Sequence, residues 1–325
     1  MKTSGKRDLS LDILRSGAIL YIVGVWHLQE YSPSFSFSND ITCLITDVVL
    51  ALVFYISGYV LSSRYDITGL PDLFSFFRKR ILRIYPMYLG TLAIFAVIHL
   101  ISPGAFLRAS LLTNMVTGEN LKTLWFVCLL LHLYLMTPFF LYRFSPVRII
   151  ASSAGLFTLL VVINYGTGYI DLRFAQYLPA FVAGILVARA SVVENLLKNR
   201  IFLVLSLVPL TCGFIAYSRF DGQYFRLFIS IGSFLASLGL LLYLGRLFSH
   251  FCNRRFVGFL GYSSYALYLL HRISFSTGKR FFAPQGVVPS ILYFVVFILP
   301  VTVIMAYYIQ KAYDRLIVDR FSGRN

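Results

Sequence analysis

Apolar segments of about 20 residues recur along most of this chain, and they restrict its fold more than any other feature. A helix needs about that many mostly apolar residues to cross a membrane. Stretches such as 201–210 and 291–305 are apolar on every side, unlike the alternating strands of a membrane barrel. Only 13% of the 325 residues are charged, which excludes a disordered chain and an ordinary soluble domain. The sequence therefore predicts an all-α, polytopic membrane protein.

About ten membrane-spanning helices fit the hydropathy pattern. The sequence places them at 10–29, 41–62, 84–102, 123–142, 149–165, 174–190, 201–218, 227–244, 257–272 and 290–310. The connections between them are short, and the chain shows no internal repeat. We therefore expect one membrane-embedded domain over residues 1–325, without an additional extramembrane domain.

Basic residues are distributed unevenly across this helix map. The net charge is +16, and the map puts 21 Lys and Arg residues on one side and 8 on the other. Such a bias predicts that both termini are cytoplasmic, in a bacterial-type inner membrane, and that the charge meets anionic lipid instead of nucleic acid. Because Asp12, Arg15 and His27 interrupt the first apolar stretch, we expect a retained helix there and not a cleaved signal peptide.

Ionisable side chains inside a bilayer are costly, so each one in a predicted span is a functional candidate. The strongest are Arg15, His27, Asp47 and His271; the last lies near the predicted outer end of its helix, where water would reach it. The four cysteines form no C-x-x-C pair, and no cluster has the spacing of a metal site. No permanently bound cofactor is expected.

Three further features have two interpretations each. Arg80 and Arg83, beside Lys79, share a face and suit phosphate, although they also suit a lipid-anchoring role. Ser57 and Gly58 form a small pair that permits close approach of a helix or a ligand. Trp125 fits an interfacial aromatic belt, or the lining of a pocket.

Read in order, these residues resemble the acyltransferase 3 family of integral membrane acyltransferases. Four blocks carry the resemblance, namely 11–15 (LDILR) followed by His27, 54–59 (FYISGY), 77–86 (FRKRILRIYP) and 124–126 (LWF) running to Tyr134 and Pro138. A weaker fifth block is 260–265 (LGYSSY) with 268–271 (YLLH). The ordered set is far more specific than any single block.

The resemblance implies about ten helices and an acyl group, usually acetyl, taken from cytoplasmic acyl-CoA. The implied acceptor is a sugar hydroxyl of a surface polysaccharide or a lipid-linked glycan. The chain resembles the family members that consist of the helices alone. The sequence leaves open whether the acyl group is acetyl or longer, what the acceptor is, and which oligomeric state the protein adopts.

Two departures from the family pattern lead to specific expectations. Eleven residues separate Arg15 from His27 where the family usually has ten, which turns the two side chains about 120° apart on a regular helix. We therefore expect a π-type bulge or a kink between Ser16 and Trp26. The family's acid in the second helix falls near Ala51, whereas this chain has Asp47, which either replaces it or pairs with a nearby basic residue.

These features together suggest a mechanism. Arg80 and Arg83, with Lys79, would hold the phosphates of acyl-CoA, and the thioester would reach His27 inside the bundle. His27 would act as a general base or would accept the acyl group itself. Arg15 or a helix dipole would stabilise the oxyanion, and Asp12 or Asp47 would orient the imidazole.

A secondary transporter or flippase of a glycan or small solute is the main alternative, because intramembrane His, Asp and Arg also mark transport pathways. The absence of an inverted repeat in the sequence and the arginine-rich segment both favour the acyltransferase.

Overall fold

The computed structural model describes residues 8–32, 37–117, 121–189 and 207–321, and all regular structure within these ranges is helical. The α-helices are α1 (Leu9–Gly24), α2 (Asp40–Arg64), α3 (Leu70–Val97), α4 (Pro103–Ser110), α5 (Asn114–Thr117), α6 (Trp125–Leu141), α7 (Pro146–Thr167), α8 (Arg173–Val187), α9 (Leu207–Arg219), α10 (Gln223–Phe248), α11 (Arg254–Phe281), α12 (Val287–Ser290), α13 (Leu299–Tyr313) and α14 (Asp319–Phe321). Two 3₁₀ turns, Trp26–Glu30 and Lys122–Leu124, and two π-helical segments, Ile291–Ile298 and Asp314–Val318, complete the list.

Seven helical segments in the described part of the chain are long and apolar enough to cross a membrane. They are Leu9–Glu30, Asp40–Arg64, Leu70–Val97, Lys122–Leu141, Pro146–Thr167, Gln223–Phe248 and Val287–Val318. The all-α membrane fold is thereby confirmed. The count of ten spans and the cytoplasmic termini stay predictions, and part of the seventh predicted helix, residues 201–206, lies outside the described residues.

Short polar side chains set the starts of several helices. Asn39 and Thr42 form a reciprocal capping box at α2, while Asp8, Ser102 and Asn253 accept backbone N–H groups at the starts of α1, α4 and α11. These caps satisfy amide groups that have no partner within the helix. A polar residue just before an apolar run therefore fixes where each of these helices begins.

The predicted interruption of the first span is confirmed, but its form differs from a π bulge. The α-helical ladder of α1 ends where the Val25 N–H meets the Tyr21 carbonyl, and the next bond, from the Leu28 N–H to the Val25 carbonyl, is of the 3₁₀ type. Val25 has φ −126° and ψ −67°, outside the helical region. His27 therefore lies in a tight 3₁₀ turn.

The helix map places the arginine-rich segment 78–83 in the inner loop between the predicted spans 41–62 and 84–102, and this prediction is wrong. Helix α3 begins at Leu70, so Arg80 and Arg83 are both helical and Pro86 lies inside the helix. Arg78, Lys79 and Arg83 are exposed while Phe76 and Ile84 are buried, so this half of the helix is amphipathic. A test for long apolar runs does not detect such a segment.

The connection after α3 folds back along it. The Tyr85 hydroxyl donates to the Ser110 carbonyl at 2.5 Å, and the Tyr88 hydroxyl donates to the Ala109 carbonyl at 3.2 Å. Because Tyr85 lies twelve residues before the end of α3, the end of α4 returns roughly 18 Å along that helix. Backbone at such depth is tolerated where protein buries it, and Ala109 is fully buried.

Helices α2 and α8 form the closest helix pair of the bundle. A Cβ built on Gly58 would lie 2.1 Å from the Phe181 carbonyl oxygen, and one on Gly184 would lie 2.1 Å from the Tyr55 carbonyl oxygen. Two glycines thus let the backbones touch, as small residues do between membrane helices. Of the two interpretations of Gly58, helix packing is the one that the structure shows.

We expect Gly58→Ala to destabilise the protein, because the added methyl group would meet backbone that cannot move without separating α2 from α8. Overpacking of this kind costs about 1–3 kcal/mol, which would lower the melting temperature measured in detergent. The matched control is Gly155→Ala in α7, where a Cβ would meet nothing within 4 Å. Equal melting temperatures for the two variants would contradict this account.

Candidate functional site

Two imidazole rings stack inside the helical bundle. His27, in the 3₁₀ turn after α1, faces His271 of α11 with a ring-centroid separation of 4.8 Å and an interplanar angle of 5°. The His271 side chain is fully buried, and α11 continues beyond it to Phe281. The expectation that His271 lies near a helix end within reach of water was therefore wrong.

The hydrogen bonds of His271 determine which ring nitrogen is free. Its Nδ1 lies 2.5 Å from the Tyr268 carbonyl oxygen, and a carbonyl only accepts, so Nδ1 carries the proton. The lone pair is then on Nε2. Neither His271 Nε2 nor His27 Nδ1 has a hydrogen-bond partner among the described residues, although both atoms are buried. The stacked pair therefore presents two unused ring nitrogens.

Tyr268 connects the imidazole pair to α6. Its hydroxyl donates to the Thr123 carbonyl at 2.5 Å, and its ring lies 5.0 Å from that of Phe126. Aromatic rings continue from there through Phe54 to Tyr177, at centroid separations of 4.6 and 5.0 Å. This aromatic core holds α2, α6, α8 and α11 together at the level of the histidines.

Trp125 belongs to the same aromatic core. Its ring is half-buried and stacks on Tyr177 at 5.8 Å, and the Arg173 guanidinium lies 4.3 Å from its centroid. Asp171 holds that guanidinium in an ion pair at 2.5 Å. Trp125 is thus packed between helices, with a cation on its face.

An ion pair between a buried arginine and a more exposed glutamate adjoins the histidines, and sequence reasoning missed it. Arg272 ends the predicted span 257–272 and was counted on its outer side, but it is 8% exposed inside α11. Its terminal nitrogens contact the two carboxylate oxygens of Glu30. In a 3₁₀ turn, residues three apart lie on the same face, so Glu30 is aligned with His27. The three-residue spacing between His27 and Glu30 was the signal in the sequence that could have placed both side chains on one face.

Arginines gather at the other end of α11. The Arg80 guanidinium carbon lies 4.9 Å from the ring centroid of Tyr65 and 6.0 Å from that of Tyr134. Arg64, at the end of α2, is in electrostatic range of Arg80 and Arg83. The structure thus adds Arg64 to the predicted pair, whereas Lys79 is exposed beside them.

An apolar pocket of about 300 Å³ adjoins Arg80. Leu131 and Tyr134 of α6 form one wall, and Ser110 and Leu112 of the returning segment form another. The Nε atom of Arg80 is buried and has no hydrogen-bond partner in the described part of the chain. The pocket thus combines an apolar lining with one cationic group.

Two helices, α6 and α11, connect the histidine pair with the arginine end of the bundle, which is formed by Arg64, Arg80 and Arg83. On α11, Tyr262 is in electrostatic range of Arg83 and lies nine residues before His271. On α6, Tyr134 faces Arg80 and lies nine residues after Trp125. Nine helical residues span roughly 14 Å in each case, so the two estimates agree.

Asp47 lies in a different cluster. Its carboxylate accepts hydrogen bonds from the hydroxyls of Ser230 at 2.7 Å, Tyr177 at 3.3 Å and Tyr217 at 3.5 Å. The charged or titratable groups that act on His27 are instead His271 and Arg272. The structure therefore gives Asp47 hydroxyl partners from α8, α9 and α10, and not the basic partner that the sequence suggested.

The remaining candidates are placed as follows. Arg15 and Asp12 are half-buried on α1, and Asp12 is in electrostatic range of Arg64. The Ser57 hydroxyl donates to the Val53 carbonyl one turn earlier, as helical serines in membranes commonly do. No group of three or more metal-ligating side chains occurs among the residues that the structure describes.

The fold and this site define an integral membrane protein with reactive side chains inside its helical bundle. Residues 8–309 match the acyltransferase 3 family, described as an acyltransferase domain. The chain therefore belongs to this family, as the ordered sequence blocks predicted. Neither curated proteins nor solved structures give a match to it.

We expect Asp47→Ala to destabilise the protein by about 1–3 kcal/mol, because three hydroxyl groups would lose their buried acceptor. The measurement is thermal unfolding in detergent. The control is Asp221→Ala, since that side chain is fully exposed and its ion pair with Arg226 contributes little. An unchanged melting temperature for Asp47→Ala would show that these hydrogen bonds do not stabilise the fold.

Proposed function

We propose that this membrane acyltransferase moves an acetyl group from cytoplasmic acetyl-CoA to a carbohydrate hydroxyl. The acceptor would be a surface polysaccharide or a lipid-linked glycan, and the membrane a bacterial-type inner membrane. The stacked pair of His27 and His271 carries the proposal, because it places unused basic nitrogens inside a bundle whose other end is lined with arginine.

The arginine end suits the phosphates of the donor. Guanidinium groups bind phosphate oxygens in bidentate fashion and stay charged at all physiological pH values. Arg80 and Arg83 share a helix with exposed Lys79, and Arg64 approaches them from α2. Three guanidiniums held close together repel one another, so an anionic ligand between them would be favourable.

The separation between the two ends suits a long, thin donor. Acetyl-CoA carries its phosphates at one end and its thioester at the end of a flexible arm. The arm would cover the roughly 14 Å from the arginines to the histidines, partly through the apolar pocket beside Arg80. The nucleotide would thus stay at the membrane surface while the acetyl group enters the bundle.

His27 would act as the general base at the thioester. The acceptor oxygen attacks the thioester carbon, and its proton passes to the imidazole. The tetrahedral intermediate then collapses, the carbon–sulfur bond breaks, and the imidazolium returns the proton to the leaving thiolate. His271 is held by the Tyr268 carbonyl with its Nδ1 protonated, so its lone pair faces away from that bond. An acetylated His27 recovered by mass spectrometry would assign the covalent route instead.

The transporter alternative makes an opposite prediction for the same assay. Detergent-purified protein with labelled acetyl-CoA should hydrolyse it slowly or transfer its acetyl group if the protein is an acyltransferase. A transporter should do neither. Mass analysis of surface glycans from cells with and without the protein would then identify the acceptor.

We expect His27→Ala to abolish acetyl transfer while acetyl-CoA binding persists, because the base is lost and the arginine end is untouched. General bases contribute about 10²- to 10⁴-fold to rate, which sets the expected loss. Label transfer reports the reaction, and equilibrium binding of acetyl-CoA reports the donor site.

Exposed His250 provides the control, since it follows the end of α10 and its ring bonds to the Arg246 carbonyl. His250→Ala should keep full activity. If His27→Ala also loses acetyl-CoA binding, the residue supports the structure of the donor site, and the catalytic assignment fails.

We expect Arg80→Met and Arg83→Met to raise KM for acetyl-CoA by about tenfold or more, with a smaller change in kcat. Each variant removes charge-assisted hydrogen bonds to the donor that are made equally in the ground and transition states. Steady-state kinetics over a range of acetyl-CoA concentrations separates the two parameters.

Arg255→Met is the matched control, because Arg255 is an exposed basic residue in the first turn of α11. It should leave KM unchanged. Equal effects of all three variants would indicate a general charge effect at the membrane surface instead of a phosphate site.

A further inference from the structure

The imidazole pair has a third unused polar atom beside it. His27 Nδ1, His271 Nε2 and Arg272 Nε are all buried without a hydrogen-bond partner among the described residues. Burying a polar group without a partner is costly, and most buried groups in native structures avoid it. Three such atoms from two packed elements therefore point to a polar group of a ligand as their partner.

The 3₁₀ turn after α1 brings Glu30 to Arg272. The 3₁₀ turn Trp26–Glu30 aligns Glu30 with His27, since side chains three residues apart eclipse in such a turn. Glu30 then holds Arg272 through both terminal nitrogens. An arginine from α11 is thus fixed beside an imidazole from the first span.

The ion pair leaves the Nε–H group of the guanidinium without a partner among the described residues. A guanidinium has five N–H groups in a rigid plane, and the two terminal nitrogens of Arg272 are directed at the Glu30 oxygens. The Nε–H remains, buried and unpaired. The plane is held by the carboxylate, so the direction of this N–H is fixed before any substrate arrives.

The charge of Arg272 acts on the whole site. His27, His271 and Tyr268 all lie within its electrostatic range. Arg272 itself is 8% exposed, whereas the Glu30 side chain is 41% exposed. The cation is therefore shielded from water, and a fixed donor in such an environment acts more strongly than one in solvent.

We propose that the Nε–H of Arg272, positioned by Glu30, stabilises the oxyanion that forms at the thioester. The inference rests on the proposed acyl transfer and assigns to Arg272 the role that the sequence suggested for Arg15. When the acceptor oxygen attacks the thioester carbon, the carbonyl electron pair moves to oxygen, and the proton goes to His27. Arg272 Nε–H donates to that oxyanion until the pair re-forms the carbonyl and the thiolate leaves.

Glu30 is a positioning residue in this arrangement. It does not contact the substrate. Its carboxylate accepts from both terminal nitrogens of Arg272 and so keeps the guanidinium from turning away from the site. Lysine cannot replace Arg272, because an ammonium group that bonds to Glu30 lacks a fixed second donor direction. Retaining the charge without the planar fork should therefore not retain the rate.

The test compares Arg272→Lys, Arg272→Met and Glu30→Gln in the full-length protein with labelled acetyl-CoA. Loss of one oxyanion donor lowers kcat by about 10²- to 10³-fold, and we expect that range for both Arg272 variants. Glu30→Gln should lower kcat less, by about tenfold, because one amide oxygen still accepts. KM and equilibrium binding of acetyl-CoA should stay close to wild type in all three.

Arg226→Met is the control, because Arg226 of α10 also pairs with carboxylates, those of Asp40 and Asp221, away from the histidines. It should keep full kcat. A wild-type kcat in Arg272→Lys or in Arg272→Met would overturn the proposal. If Arg272→Met does not fold, Arg272→Lys and Glu30→Gln decide the question.

The two proposals fail in different ways. A wild-type protein that neither hydrolyses acetyl-CoA nor transfers its acetyl group removes the proposed function and this inference with it. An active wild type whose Arg272 variants lose acetyl-CoA binding, with kcat retained, removes this inference alone and places Arg272 at the donor site.

Discussion

The cost of leaving polar groups unpaired inside an apolar bundle governs this structure. Several tyrosine hydroxyls avoid this cost by donating hydrogen bonds to backbone carbonyls of other helices. Tyr265 donates to Ile84 at 2.8 Å, and Tyr313 donates to Leu82 at 2.5 Å. Such bonds fix α11 and α13 against α3. They also make the exceptions informative, because buried nitrogens at the histidine pair remain without a partner among the described residues.

The change from α-helix to 3₁₀ turn after α1 sets the position of His27 in the histidine pair. In a continuous α-helix the side chains of His27 and Glu30 would lie about 60° apart around the axis, and the 3₁₀ turn removes that offset. The 3₁₀ turn instead aligns the two residues, and Glu30 meets Arg272. The carboxylate that binds Arg272 thus lies on the same face of the turn as His27. The same turn lets His27 stack on His271, so the ring pair and the ion pair have a common structural origin.

The bundle is electrostatically divided along its length. Guanidinium groups gather where α2 ends and α3 passes, and the histidines lie roughly 14 Å farther along α11. In the proposed reaction, long-range charge at one end would recruit an anion, and short-range hydrogen bonds at the other would act on a neutral group. For acyl transfer this division is useful, because binding and chemistry then depend on different residues.

Much of the fold and the family followed from the sequence alone. Long apolar runs specify membrane helices in any tertiary context, and the ordered blocks that include His27, Arg80 and Trp125 specify the family. The eleven-residue spacing after Arg15 even indicated a break in the first span. The sequence analysis missed the helix around Arg80 because it is amphipathic, and polar residues on one face lower the mean hydropathy of a segment.

The tertiary structure alone decided which polar residues meet. Nothing in the spacing of the sequence joins His27 to His271 or Glu30 to Arg272, because more than two hundred residues separate the members of each pair. The sequence likewise did not reveal that Asp47 faces hydroxyl groups, or that Arg272, the last residue of a predicted span, is buried. Local patterns determine which segments become helices, but contacts between distant helices depend on how whole faces pack.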